Sequence, residues 1–360
     1  MADAASKPAT SPVWDSTETI AFTVTGPFQT AFSAAYAGLP DGINPPVRVK
    51  DPFAGTLQYT GDAGPVVLQT TLKVRGNSSL QECAFPKLKV TVFDDAERAA
   101  SIFYKAKRTK IGTHCDDRAD DDRGVIGRLR NQKATFREAF VYEVMRQLQL
   151  PTKWARPARI TYVDTSPGTS DVGWTVERDG FIFDNAKNVA KRHDALLRAD
   201  EDPWTATQVQ SVDRDQAAKL YFLQALFGNW DWRLAVDPAT SETGPPWNVH
   251  VMTLSNGTHV PFAYDFDLSS AVTGEFVRES QLPTDLYPGE ALLFRQAAYY
   301  LLPTKDEFTG TRRTQIAAFF VAAEATLRAT LASYPMDADG RENMTAHLDA
   351  FYDVLAREYP

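Results

Sequence analysis

Cysteine is nearly absent from this chain, with Cys83 and Cys115 the two among 360 residues. Two cysteines so spaced give no zinc signature; they read either as small buried hydrophobes or as one disulfide, which needs an oxidising compartment. The histidines are His114, His193, His250, His259 and His347, and they are scattered. They form no HExxH pair and no His–Cys cluster, so zinc hydrolysis has no candidate. No GxSxG elbow, Walker loop, GxGxxG turn or internal repeat occurs. No stretch approaches ~18 uninterrupted apolar residues, so no membrane span is expected. Positive charge is in deficit. Lys plus Arg number 38 against 46 Asp plus Glu, a net charge of −8, which argues against a nucleic-acid partner. No apolar h-region follows the opening "MADAASKPATSPVWDSTET", so no signal peptide is expected within this chain.

What remains is ordinary globular composition, 43% hydrophobic and 23% charged. The length fits one large domain or two packed lobes. Residues 1–18 are small, polar and Pro-containing and read as a flexible lead-in. Residues 19–180 read as β-rich. "TIAFTVTG" and "VVLQTTLKVRG" are rich in β-branched residues, and "KLKVTVF" alternates charge with apolar side chains. One helix interrupts them, its period carried by Phe136, Phe140, Val141, Val144, Met145 and Leu148 and stopped at Pro151. Residues 181–360 are expected to be mainly helical. One helix there runs from Arg214 to Phe227, capped by Asp213 and ended by Gly228.

Three acids stand in apolar company. Asp231 lies in "LFGNWDWRL", just after that helix, and Asp265 and Asp267 lie in "FAYDFDLS". Between them, "NVHVMTL" and "HVPFAYDF" read as strands joined at "SNGT", whose Asn-Gly pair is a strong hairpin signal. A hairpin would return Asp265 and Asp267 towards the loop that holds Asp231 and Asn248. Clustered carboxylates repel unless a cation sits among them. Magnesium prefers one or two carboxylates plus phosphate oxygens, the arrangement that phosphoryl transfer needs. Taken alone, "DFD" reads as a strand-end pair and "NWDW" as a capping loop with two core tryptophans. Their order on either side of a hairpin is the more specific signal.

With that order in place the chain resembles the spore coat protein H (CotH) kinase family, an atypical branch of the protein-kinase-like fold. The resemblance is carried by "RGNSS", "CAFPKLKV", "KIGTHC", "ARITYVD", "NVAKR", "GNWDW", "WN" and "YDFD", spread over roughly residues 70 to 275. It implies an α+β, two-lobed protein-kinase-like fold, with a β-rich N-terminal lobe and a mainly helical C-terminal lobe. It implies ATP and magnesium as cofactors and a hydroxyl acceptor, protein Ser or Thr. Asp231 would be the catalytic-loop acid. Asn248, Asp265 and Asp267 would be the metal ligands. The loop Gly76, Asn77, Ser78 and Ser79 would cover the nucleotide phosphates. The phosphate-contacting lysine is Lys89 or Lys110, and its glutamate partner is Glu138 or Glu143; periodicity does not choose between them.

The chain also departs from the family pattern. "LAVDPATSETGPP" separates Asp231 from Asn248, which makes Asp237 a fallback ligand, and Asp184 stands where the family often has a glutamate. Trp230 and Trp232 are read as supports of the loop. Cys83 and Cys115 both belong to the resembling elements, which implies a disulfide and an exported protein; a cytoplasmic address stays open. AMP transfer by the same site and an inert kinase-fold scaffold are the rival readings. A metal-dependent glycosyltransferase is weaker, since no βαβ run precedes its Asp-x-Asp.

Overall fold

A computed structural model of the chain describes residues 10–37, 51–75, 87–113, 134–167, 175–198, 205–236, 246–274, 282–283 and 285–359. The Gly76–Ser79 loop, Cys83, Cys115, His114 and Asp237 lie outside the described residues. The chain divides into two compact units. The first comprises residues 1–139 and 154–185, the second 140–153 and 186–360.

Among the described residues of the first unit, seven strands occur: β1 (Ile20–Gly26), β2 (Phe53–Gly61), β3 (Gly64–Val74), β4 (Leu88–Val92), β5 (Arg108–Thr113), β6 (Ala155–Asp164) and β7 (Thr175–Phe183). Helices α1 (Phe28–Ala37) and α2 (Asp95–Ala99) accompany them. The strands form a closed mixed barrel in the order β1-β2-β3-β4-β5-β7-β6. This corrects the expected fold: the β-rich part is a closed barrel rather than the N-terminal lobe of a two-lobed kinase, although the α+β class holds. The cause is the seam. β1 pairs antiparallel with β2 on one side and parallel with β6 on the other, from Ile20 opposite Ala158 to Gly26 opposite Asp164. Closure leaves no free sheet edge.

Alternation fills the barrel. Phe22, Val24, Leu57, Leu68, Leu72, Leu88, Val90, Ile111, Ile160, Tyr162 and Ile182 turn inward and are buried together. Phe28 of α1 is fully buried and packs edge-on against Phe53 and Tyr162, with ring centroids at 6.0 and 5.6 Å. The Asp164 carboxylate at the end of β6 accepts from the Gln29 backbone N–H at 3.2 Å and so caps α1. Gly112 is required by contact: a Cβ there would lie 2.1 Å from the Phe181 ring of the paired strand.

Helix α3 (Ala134–Gln147) straddles the division, with residues from Phe140 onward belonging to the second unit. That unit continues through α4 (Ala186–Arg192), β8 (Leu196–Leu197), α5 (Ala206–Gln210) and α6 (Arg214–Leu226), then β9 (Val249–Thr253), β10 (His259–Ala263) and α7 (Ser270–Thr273). It ends with α8 (Leu292–Leu301), α9 (Thr304–Glu307), α10 (Gly310–Ser333) and α11 (Ala338–Glu358). The three-stranded sheet runs β10-β9-β8. β9 and β10 form the hairpin expected at Asn256-Gly257, with Val249 opposite Ala263.

Helix α6 starts where Asp213 accepts from the backbone N–H groups of Asp215 and Gln216 at 3.0 and 2.9 Å. It is buried nearly throughout, which makes it the axis of the helical packing. α10 is long and apolar enough, by length and composition alone, to cross a membrane. Here its Phe320 stacks on Phe222 of α6 at 5.8 Å, and the Tyr352 hydroxyl of α11 donates to the Phe320 carbonyl at 3.0 Å.

Candidate functional site

The site begins where α6 stops. Gly228 has φ +56, a left-handed turn, and a Cβ there would come within 2.1 Å of the Ser270 hydroxyl. The chain then enters a buried polar turn. Asn229 is fully buried, donates to the Gln224 amide oxygen at 2.8 Å and accepts from the Asp231 backbone N–H at 3.1 Å. This turn projects Asp231.

Both carboxylate oxygens of Asp231 are held. Oδ1 accepts from the Trp247 indole N–H at 2.9 Å, and Oδ2 accepts from the Asn248 amide at 3.0 Å. The same amide donates to the Asp231 carbonyl at 2.7 Å. The insertion before Trp247 therefore does not separate the two segments. Arg233 and Trp247 close it with reciprocal backbone hydrogen bonds at 3.0 and 2.9 Å, and Asn248 returns to Asp231. Charge-assisted donors of this kind fix the rotamer of the acid. Of the two tryptophans flanking Asp231, Trp232 packs edge-on against Tyr221 at 4.6 Å. Trp247, from further along the chain, is the one that bonds the acid.

Asn248 also reaches the second acidic segment. Its carbonyl accepts from the Tyr264 backbone N–H at 3.0 Å, one residue before Asp265. Asn248 and Asp265 both adopt left-handed backbone, with φ 51 and 64. Asn and Asp tolerate that region better than other L-residues. Phe266 points into the core, fully buried, against Tyr142 and Phe227. Asp265 and Asp267 on either side of it are half-buried.

A second layer ties the two segments together. The backbone N–H groups of Ser270 and Ala271 donate to the carbonyls of Gly228 and Phe227, each at 3.2 Å. The Ser270 hydroxyl donates to Gln296 Oε1 at 3.0 Å. Asn343 of α11 donates to the carbonyls of Ser270 and Ala271 at 3.1 and 2.8 Å. Sequence reasoning missed Ser270, Gln296 and Asn343, because isolated polar residues in helical runs give no periodic signal.

Among the described residues, no three His, Cys, Asp or Glu side chains stand together as a metal cage. The donor chemistry still suits magnesium, which takes one or two carboxylates and leaves the remaining positions to phosphate oxygens and water. Asp265 and Asp267, or Asp265 and the amide oxygen of Asn248, are the residues that would supply such a set.

The nucleotide-side residues fall elsewhere in the chain. In the first unit, Lys89 of β4 lies directly opposite Lys110 of β5 and, on its other side, opposite Lys73 of β3. The sequence alternatives are therefore neighbours in one cross-strand row on the outer face of the barrel. Like charges opposite one another cost about 0.2–1 kcal/mol per pair. The Lys110 ammonium and the Arg75 guanidinium lie 5.8 and 5.2 Å from the centroid of the Phe183 ring. Of the two glutamates, Glu138 belongs to the first unit, with the lysines. Glu143 belongs to the second, where it accepts from Gln147 at 2.6 Å and lies 3.7 Å from Arg146. Asp184 is fully buried and accepts from the Trp154 backbone N–H at 3.0 Å, a structural tie between β7 and the start of β6.

No family model matches the chain, and no curated protein matches it. One match among solved structures is the crystal structure of the proinflammatory kinase CtkA of Helicobacter pylori. It covers 76% of this chain and 94% of that one, at 9% identity and a TM-score of 0.38. A likeness of that size carries no argument about fold or activity.

Proposed function

We propose that this protein transfers the γ-phosphoryl group of ATP to a hydroxyl, on protein Ser or Thr, with magnesium. The observation that carries the reading is Asn248. It bonds the Asp231 carboxylate with its amide and the Tyr264–Asp265 strand end with its carbonyl, so one residue joins a held acid to a metal-binding acid. The resemblance of the sequence to the CotH kinase family implies the same roles for these residues.

Asp231 orients the acceptor hydroxyl and receives its proton. The hydroxyl oxygen forms the new bond to the γ-phosphorus, the bond to the bridging oxygen breaks, and ADP leaves with that electron pair. Asp265, with Asp267 or Asn248, would hold the magnesium, whose charge neutralises the phosphates. The Trp247 and Asn248 donors keep the Asp231 carboxylate in one orientation, as in-line attack requires.

The test is incubation with magnesium, candidate acceptors and ATP labelled separately at the α and γ phosphorus. Transfer of the γ label is the expected result. Transfer of the α label would mean AMP transfer instead. No transfer of either label, with acceptor proteins and the chain itself both present, would favour an inert scaffold.

A further inference from the structure

The segment that carries Asp265 is gripped at three successive residues by a part of the chain that the proposed chemistry does not use. The Tyr264 ring lies between two groups: the Lys153 ammonium, 3.9 Å from its centroid on one side, and the His250 ring, nearly parallel at 3.9 Å. The Asp265 backbone N–H donates to the Tyr142 hydroxyl at 3.0 Å. The Phe266 ring meets the same Tyr142 edge-on at 5.8 Å. Tyr142 and Lys153 come from one short stretch, the C-terminal half of α3 and the loop after it, and both belong to the second unit with Asp265.

Two features make this more than packing. Lys153 is 1% exposed, and an ammonium so buried costs free energy that a methionine of similar length would avoid. Asp265 holds a left-handed φ of 64, a conformation that persists only where surroundings enforce it. The Tyr142 hydroxyl takes the backbone donor that this conformation presents, and Lys153 immobilises the preceding side chain.

We propose that Tyr142 and Lys153 are positioning residues, which preset the backbone of Asp265 for metal and nucleotide. The proposal rests on the reading of Asp265 as a metal ligand. Residues behind a metal ligand typically change affinity by about 10–100-fold when altered.

The experiment uses the full chain as wild type, Tyr142→Phe, Lys153→Met and Lys153→Arg. Amide hydrogen exchange of the free protein reads the clamp without any ligand. Calorimetry with magnesium–ATP reads its consequence. Tyr142→Phe removes one oxygen and keeps the ring, so the fold should persist. Exchange at Asp265 should rise about tenfold or more while α6 amides stay protected. Magnesium–ATP affinity should fall about tenfold in Tyr142→Phe and Lys153→Met and recover largely in Lys153→Arg, which keeps the cation over the ring.

Unchanged exchange at Asp265 in Tyr142→Phe overturns the proposal. So does raised exchange with wild-type affinity. If the wild type itself binds no magnesium–ATP, the proposed function fails, and the exchange result alone then decides whether the clamp exists.

Discussion

Asp231 shows how little of a residue's role lies in its own side chain. Its carboxylate is set by an asparagine turn behind it and by two donors that arrive after an insertion. Asp231→Asn keeps the shape but turns one acceptor oxygen into a donor, which then faces the Trp247 or Asn248 N–H. Turnover should fall by roughly 10²–10⁴-fold, while nucleotide affinity changes much less because Asp265 is untouched. Steady-state kinetics and a nucleotide titration on both proteins check this; near-normal turnover would leave Asp231 a structural cap. His347 makes a separate prediction. Burial pushes its pKa down from 6.5 to about 4, against the opposing pull of the Leu226 carbonyl. The folded state therefore favours the neutral ring. That contribution is fully present above pH 6.5 and is lost as pH falls from there towards 4, at most about 3 kcal/mol. Urea midpoints at pH 7.5 and pH 5 should differ less in His347→Gln than in the wild type. An equal pH dependence in both would remove His347 from the account.

At the scale of elements, the parts with strong local signals were legible and the parts set by distant partners were not. The α6 boundaries follow from Asp213 and Gly228, and the β9–β10 hairpin from Asn256-Gly257, because caps and turns are written in adjacent residues. The barrel seam was not legible. Whether β1 stays an edge or zips to β6 depends on residues about 140 positions apart, and alternation reads the same either way. That Lys89 and Lys110 face each other was not legible for the same reason, since register alone places them there. Another long-range tie is Arg341. Its guanidinium donates to the carbonyls of Leu331, Ala332, Tyr334 and Met336 and so closes the end of α10. Arg341→Met should cost about 2–3 kcal/mol in chemical unfolding, with fraying of the last turn of α10 seen by hydrogen exchange. A loss below about 0.5 kcal/mol, the range of ordinary surface substitutions, would contradict that role.

For the whole molecule, the α+β class was readable from the order of periodicities, but the closed barrel was not, and it sets this chain apart from the two-lobed kinase expectation. The acidic segments were readable as a pair because one hairpin joins them. Their union through Asn248 needed the structure, as the intervening insertion obscured the spacing. We propose that Asp265, next to the Tyr264 backbone bonded by Asn248, binds a magnesium–nucleotide complex. Calorimetric titration of magnesium–ATP into the wild type and into Asp265→Ala measures this binding, with thermal unfolding of both proteins as the control for folding. Magnesium-dependent binding in the wild type is expected, with its loss in the variant and the unfolding midpoint unchanged. Equal affinity in the two proteins, or no binding to a folded wild type, would contradict it.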